Sequence, residues 1–261
     1  MSNALVIIPT YNEKENIQGI IEEVFSLPKD FHVLIVDDGS PDGTADIVKS
    51  LQQKFNQQET KLHLMQRTGK LGLGTAYIAG FQWSFERQYE YVLEMDADFS
   101  HNPKDLIRLY LACEEGKNDL AVGSRYSNGV NVVNWPMSRV LMSYFASKYV
   151  RFITRMPIHD TTAGFVCYRK KVLQSIHLEK VRFIGYAFQI EMKFLAWKYK
   201  FKLTEVPIIF TDRTKGQSKM SAGIFKEAVL GVLFMTIHSW FKNYSKVWLK
   251  EHFLQKILQW L

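Results

Sequence analysis

The 261-residue chain has only two cysteines, Cys113 and Cys167, far apart and at no metal-ligand spacing. A disulfide framework and a cysteine zinc site are thereby excluded, and the pair reads as reduced thiols of a cytosolic setting. No apolar run reaches the ~18 residues that cross a bilayer. The best candidate, residues 228–237, is ten residues long with Lys226 and Glu227 before it and His238 after it. It reads as a buried or interfacial helix. Residues 1–12 lack the charged start and cleavage site of a signal peptide and read as a first strand. No internal repeat and no low-complexity segment is found. No glycine follows that strand: Pro9-Thr10-Tyr11-Asn12-Glu13 stands where a dinucleotide fold needs Gly-x-Gly-x-x-Gly, which excludes NAD. The glycine-rich run 69–74 comes after the third strand, and no Ser or Thr follows Lys70, which excludes a P-loop. Those glycines either let backbone approach a phosphate or make a tight turn.

What is present suffices for a substantial core, since 47% of residues are hydrophobic and 14% aromatic. Charge is unevenly spread. Residues 1–133 carry 12 Lys and Arg against 19 Asp and Glu, and residues 134–261 carry 21 against 7. A basic half suits nucleic acid, an anionic membrane, phosphates or plain solubility, and charge alone does not choose.

Short apolar runs at 4–8, 32–36, 61–65, 91–95 and 119–122 read as buried strands. Amphipathic stretches at 13–25, 44–55, 75–85 and 104–114 read as helices between them. This βαβ rhythm predicts an α/β fold with a mostly parallel sheet covered on both faces. The second half departs from it. An amphipathic basic stretch spans 137–153, strands are expected at 165–169 and 203–210, helices at 188–199 and 224–240, and a polar loop at 211–223. Residues 241–261 stand apart as an amphipathic segment in which Leu249, Phe253, Ile257 and Leu261 share helical spacing between Trp248 and Trp260. Such a helix suits either a lipid headgroup region or a protein surface.

Polar residues follow every strand of the first half: Pro9 to Glu13, Asp37-Asp38-Gly39-Ser40, Gln66-Arg67, Asp96-Ala97-Asp98 and Gly123-Ser124-Arg125. Parallel strands place their carboxyl ends on one edge, so these segments converge on one cleft. Asp96 and Asp98 are either a solvated surface pair or ligands of a hard divalent cation, and the convergence favours the cation.

The segments VIIPTYNEKENI, IVDDGSPDGT, GLGTAYIAGF, LEMDADFSHNP and VGSRY resemble, in order and spacing, the family 2 inverting glycosyltransferases of GT-A fold. Through HDTTAGFVCYRK and FTDRTKGQSKMS the resemblance extends over residues 4–240 and is closer to the dolichyl- or polyprenyl-phosphate mannosyltransferases. It implies a Rossmann-like GT-A domain over residues 1–240, followed by the amphipathic segment 241–261. It also implies transfer of mannose from GDP-mannose to a polyprenyl phosphate by a peripheral protein on the cytoplasmic face of a membrane. The implied partners are a nucleotide sugar, the lipid phosphate and the membrane surface. The resemblance admits a small membrane partner subunit and does not include nucleic acid.

The resemblance also implies roles for particular residues. Asp96, Asp98 and Ser100 would hold Mg²⁺ or Mn²⁺ against the donor diphosphate, whose departure develops negative charge. Pro9, Tyr11, Glu13, Val36 and Asp38 would line the base and ribose, where a carboxylate accepts hydrogen bonds from a diol or from guanine. Arg213 and Lys219 would close over the diphosphate together with Asp96, and Arg125 and Arg139 would grip the acceptor phosphate. Asp98, Arg213 and Glu191 form the implied catalytic set, with Glu191 orienting the sugar or acceptor. Blander readings stand beside these: Glu13 favours a helix start, Glu191 lies on a helix surface, and Arg213 and Lys219 are solvated loop charges. A phosphate acceptor is already anionic near neutral pH and needs no protein base.

Two departures matter. Val166 stands where relatives commonly carry Arg, and the Gln-x-x-Arg-Trp motif of processive synthases is absent. The competing readings are a family 2 enzyme with UDP-glucose or a sugar-hydroxyl acceptor, and a basic nucleic-acid module. The module lacks a recognition motif, and a carboxylate-lined cleft would repel a phosphate backbone.

Overall fold

A computed structural model describes residues 2–185, 187–213, 222–242 and 244, with the side chains of 222–229 excepted. Strands β1 (Ala4–Thr10), β2 (His32–Asp37), β3 (Leu62–Gln66), β4 (Tyr91–Glu94) and β5 (Leu120–Ser124) form where the apolar runs predict them. Helices α1 (Ile17–Phe25), α2 (Thr44–Phe55), α3 (Leu73–Phe85) and α4 (Asp105–Glu114) connect them. On α1 the buried residues are Ile17, Ile20, Ile21 and Val24, the i, i+3, i+4, i+7 stripe of a helix laid on a sheet.

Further along come β6 (Val132–Val133), α5 (Met137–Thr154), β7 (Val166–Arg169), α6 (Lys170–Ser175), a 3₁₀ turn at Leu178–Lys180 and α7 (Ala187–Lys198). Then β8 (Leu203–Pro207), β9 (Phe210–Thr211) and α8 (Ala222–Ser239) follow. The expected strand 203–210 is thus two strands, broken after Pro207, whose ring removes a ladder donor. β9 leaves the main sheet and pairs with β6.

The main sheet has seven strands in the order β3-β2-β1-β4-β7-β5-β8. Every neighbouring pair is parallel except those of β7, which runs antiparallel between β4 and β5. Successive residues feed opposite faces: Leu5, Ile7, Val92 and Val122 enter one core, and Val6, Ile8, Leu93 and Ala121 the other. Such two-sided burial is why the strands read as unbroken apolar runs. Val166, where relatives commonly carry Arg, is fully buried in this sheet.

The reversed strand has a positional consequence. Parallel strands deliver their carboxyl ends to the cleft edge, whereas β7 delivers the residues before it, so Asp160 to Gly164 arrive beside Asp96 and Arg125. Cys113 and Cys167 are both free and buried. Gly80 lets α3 close on the sheet, since a Cβ there would meet Ile7 at 2.9 Å. No helix among the described residues is long and apolar enough to cross a membrane.

Candidate active site

Beyond β4 the chain turns sharply. Asp98 Oδ1 accepts the Ser100 N–H at 3.0 Å, closing an Asx turn over Phe99, whose φ is +59°. An aromatic residue rarely holds that conformation. Here the Phe99 ring leans on Gly19, where a Cβ would come within 3.2 Å of it. The turn brings Asp96, Asp98 and Ser100 to one wall of a cavity of about 780 Å³.

The electrostatics of this wall are unbalanced. Burial, and then the neighbouring Asp98 charge, pushes the Asp96 carboxyl up to about 7. Arg213 reaches Asp98 at 3.0 Å and supplies one positive charge. Ser100 Oγ is buried and makes no hydrogen bond. Two crowded carboxylates and an unsatisfied hydroxyl are hard oxygen donors, and they fit a divalent cation. His101 stacks on Phe165 at 4.7 Å, and burial holds its imidazole down to about 4, so it is neutral.

The opposite wall is built around Arg125. Its Nε and Nη2 donate to the two oxygens of Asp160 at 2.7 and 2.6 Å, and its backbone N–H adds a third bond. Burial alone would raise the Asp160 carboxyl, but Arg125 outweighs it and holds that group below its usual range. Asp160 is placed in turn by its N–H, which donates to Glu205 on β8. Trp135 lies between Arg125 and Arg139, whose guanidinium carbons stand 5.5 and 4.1 Å from ring centroids of that indole. Arg139 also pairs with Asp212 at 2.9 Å. Trp135 Nε1 has no hydrogen-bond partner. Much of the lining is apolar, with Met142, Phe145, Ala146, Tyr149, Val150 and Ile190 beside the polar Ser143, Thr162 and Gln189.

Other expected residues fall outside this cavity. Pro9, Tyr11, Glu13 and Asp38 stand at or beyond the carboxyl ends of β1 and β2, on the same sheet edge. Lys70 lies over the Tyr11 ring at 5.2 Å. Asp38 accepts from Arg67 Nε at 2.6 Å and from the Leu71 N–H at 3.3 Å. Glu13 takes the Asn16 side-chain amide at 3.0 Å, and its carbonyl accepts the Ile17 N–H that opens α1. In the glycine run 69–74, residues 69–72 form an irregular connection and Leu73 opens α3; Gly72 has φ +101° and the Gly74 N–H donates to the Ile184 carbonyl. Lys219 lies outside the described residues.

Two expectations need correction. Val36 is completely buried in the core between β1 and β3, so its side chain cannot touch a nucleotide. Glu191 does not reach the cleft: its Oε2 accepts the N–H groups of Arg182 and Phe183 at 2.9 and 3.1 Å. It holds the 181–185 segment against α3, and burial raises its carboxyl. Glu191→Gln keeps an acceptor there, so kcat should stay within about threefold while stability falls by less than about 2 kcal/mol. Steady-state rates beside urea melts test this, and a loss of turnover without a loss of stability would restore a catalytic role.

Sequence reading missed Asp160 as the anchor of Arg125, Trp135, and Lys193. Lys193 is fully buried, donates to the Ala163 carbonyl at 2.6 Å, and is pushed down to about 8 by burial. Asp160 sits in a quoted motif, yet nothing marked it as the counter-charge. Lys193 left no signal, because a single Lys in a helix normally faces water.

The chain is 47% identical over 228 residues to polyprenol monophosphomannose synthase of Mycolicibacterium smegmatis, covering 87% of this chain and 84% of that one. It is 42% identical to undecaprenyl-phosphate mannosyltransferase of Micrococcus luteus, covering 87% and 91%. The fold is similar to that of glucosyl-3-phosphoglycerate synthase from Mycobacterium tuberculosis, solved with Mn²⁺, uridine diphosphate and glucosyl-3-phosphoglycerate. The TM-score is 0.64 at 14% identity, over 91% of this chain and 80% of that one. The model of the Glycosyl transferase family 2 matches residues 5–176, from the start of β1 to the end of α6. Motifs, sheet order and relatives coincide, and the chain belongs to glycosyl transferase family 2.

Proposed function

We propose that this family 2 glycosyltransferase transfers mannose from GDP-mannose to a polyprenyl phosphate, with inversion at the anomeric carbon. The observation that carries this reading is the cavity itself, which is charged at Asp96, Asp98, Arg213, Arg125 and Arg139 and apolar towards α5 and α7. A soluble sugar acceptor has no use for the apolar part; a lipid phosphate needs both ends. The two named relatives, at 47% and 42% identity, support the same acceptor class.

In this reading Asp96, Asp98 and Ser100 hold Mg²⁺ or Mn²⁺, which when bound neutralises the diphosphate leaving group. Arg213 turns from Asp98 towards the diphosphate and gains strength as charge develops there. Pro9, Tyr11, Glu13 and Asp38 flank the nucleotide, and Lys219 belongs to the same closing loop. Arg125, fixed by Asp160, and Arg139 present cations to the acceptor phosphate, and the Trp135 N–H is a further donor. The carboxylates lining the cavity among the described residues are Asp96, Asp98 and Asp212, and Asp212 is paired with Arg139. None is spare as a general base, which suits a nucleophile that arrives ionised.

Incubation with GDP-mannose, UDP-glucose and a polyprenyl phosphate, followed by lipid mass spectrometry, tests the assignment. Lipid-linked hexose from GDP-mannose is expected. Product from UDP-glucose alone, or none on the lipid, would overturn it.

A membrane surface is the expected workplace. Exposed apolar side chains crowd α5 (Met137, Leu141, Phe152) and the end of α8 (Phe234, Ile237, Trp240), beside the bases Lys148 and Arg155. Phe152 and Trp240 are 73% and 72% exposed. Burying each aromatic contributes about 1.5 kcal/mol or more. The double change Phe152→Ser, Trp240→Ser should therefore weaken binding to anionic vesicles more than tenfold and spare transfer to a short, soluble acceptor. Unchanged sedimentation with vesicles would sink the idea.

A further inference from the structure

At the amino end of β2, on the sheet edge opposite the cleft, Asp30, His32 and Glu59 point at one another. Their nearest ligand atoms all lie within 4.8 Å, and among the described residues no other trio of His, Cys, Asp or Glu is so close. His32 is 6% exposed, and its Nε2 makes no hydrogen bond although it faces Glu59 Oε1 at 3.6 Å. Glu59 Oε1 is likewise buried without a hydrogen bond. Leaving such buried atoms unsatisfied is costly, and the cost is normally met by a partner. The other ring nitrogen, Nδ1, lies 2.8 Å from Tyr89 Oη.

We propose that Asp30, His32 and Glu59 form a second divalent-metal site, separate from the Asp96–Asp98 pair and of the Zn²⁺ class. One imidazole nitrogen with two carboxylate oxygens is a borderline donor set, which suits Zn²⁺, whereas an all-oxygen set suits Mg²⁺ or Mn²⁺. With an ion on Nε2, Nδ1 would carry the proton and donate it to Tyr89 Oη, the usual outer-shell arrangement of a metal-bound histidine. Asp30 is exposed and gives an entry path. Lys61 sits 2.9 Å from Asp30 Oδ1 and competes for that carboxylate, so the ion would take its other oxygen.

The two sites are far apart. His32 and Asp37 open and close the same strand, about 17 Å along it at ~3.3 Å per residue. A metal here ties the 57–61 connection, through Glu59, to the start of β2 and to Asp30. It stabilises the fold and takes no part in transfer.

The test is calorimetric titration of the chelator-stripped full chain with Zn²⁺, beside Glu59→Gln and Asp30→Asn, with Mg²⁺-supported transfer measured in parallel. Glu59 and Asp30 are accessible enough for both variants to fold, which a change at buried His32 does not guarantee. The wild type should bind one more Zn²⁺ per chain than either variant, or bind it more than tenfold tighter, at unchanged transfer. Saturating Zn²⁺ should raise the wild-type Tm by on the order of 5 °C and the variants' Tm by less. Imidazole ¹⁵N spectra should show Nε2 of His32 metal-bound and Nδ1 protonated. Equal Zn²⁺ binding by all three proteins, or no Zn²⁺ bound by the wild type beyond that held at Asp96 and Asp98, would overturn the site.

Discussion

Asp98→Asn should lower transfer about 10³-fold and leave the fold as stable as before, or more so. The amide keeps Oδ1 as the acceptor that closes the turn onto Ser100, so the local backbone has no reason to move. What is lost is one of two crowded negative charges and the anchor that Arg213 holds at 3.0 Å. Losing one preorganised charge-stabilising contact typically costs about 3–4 kcal/mol of transition-state stabilisation, and each 1.36 kcal/mol is tenfold in rate. The same charge also crowds Asp96, whose carboxyl burial and Asp98 together push up to about 7. Removing it relieves repulsion, so Tm should hold or rise, the trade-off expected where a site is built for work rather than stability. EDTA should reproduce the defect in the wild type, with recovery in Mg²⁺ or Mn²⁺. Full activity of the wild type in chelator would discard the metal assignment.

Asp160→Asn is expected to destabilise the protein by about 3–5 kcal/mol, because it strands the buried Arg125 guanidinium without a counter-charge. Asp160 is completely buried and Arg125 is 8% exposed, so water cannot take over the role. The double change Asp160→Asn, Arg125→Met removes both charges and should recover most of that stability. It should not recover transfer, because the acceptor wall then keeps only Arg139 of its two cations. Urea denaturation beside initial rates separates the two effects. A single variant within about 1 kcal/mol of wild type would show that the pair is not what fixes this wall. Recovery of transfer in the double variant would show that Arg125 does not meet the acceptor.

The sequence carried much of this arrangement, but unevenly. β1 to β5 were legible because strands buried on both faces are short apolar runs ended by polar residues, and that pattern also placed Asp96 and Asp98 on the cleft edge. The segment 165–169 read as a strand, but its direction did not, since direction depends on where the long excursion through α5 returns the chain. Val36 misled because proximity along β2 to Asp38 says nothing about which way a side chain faces. Glu191 misled for a related reason: an acid in a helix near the motifs gave no hint that two N–H groups eight and nine residues earlier would claim it. The Arg125–Asp160 pair spans 35 residues and needs the reversed strand to bring its halves together. Asp30 and Glu59 sit on two separate connections and meet His32, at the start of β2, only once β2 and β3 are paired.

The antiparallel β7 also bears on the order in which the chain can assemble. Residues 1–94 hold four strands that pair with one another, and they can close as soon as they are made. β5 has no neighbour among them: its partners are β7 and β8, which come 42 or more residues later. Until Val166 emerges, β4 presents an open inner edge and β5 drifts unattached, with the acidic front half already compact and the basic back half still unmade. Contacts of that sequence separation close slowly, and an unsheltered apolar edge invites pairing with other chains. A nascent chain stalled between residues 124 and 165 should therefore be the species that chaperones hold. A cut placed between the acidic and basic halves should yield a front fragment that closes β1 to β4 alone and a back fragment that folds only against it.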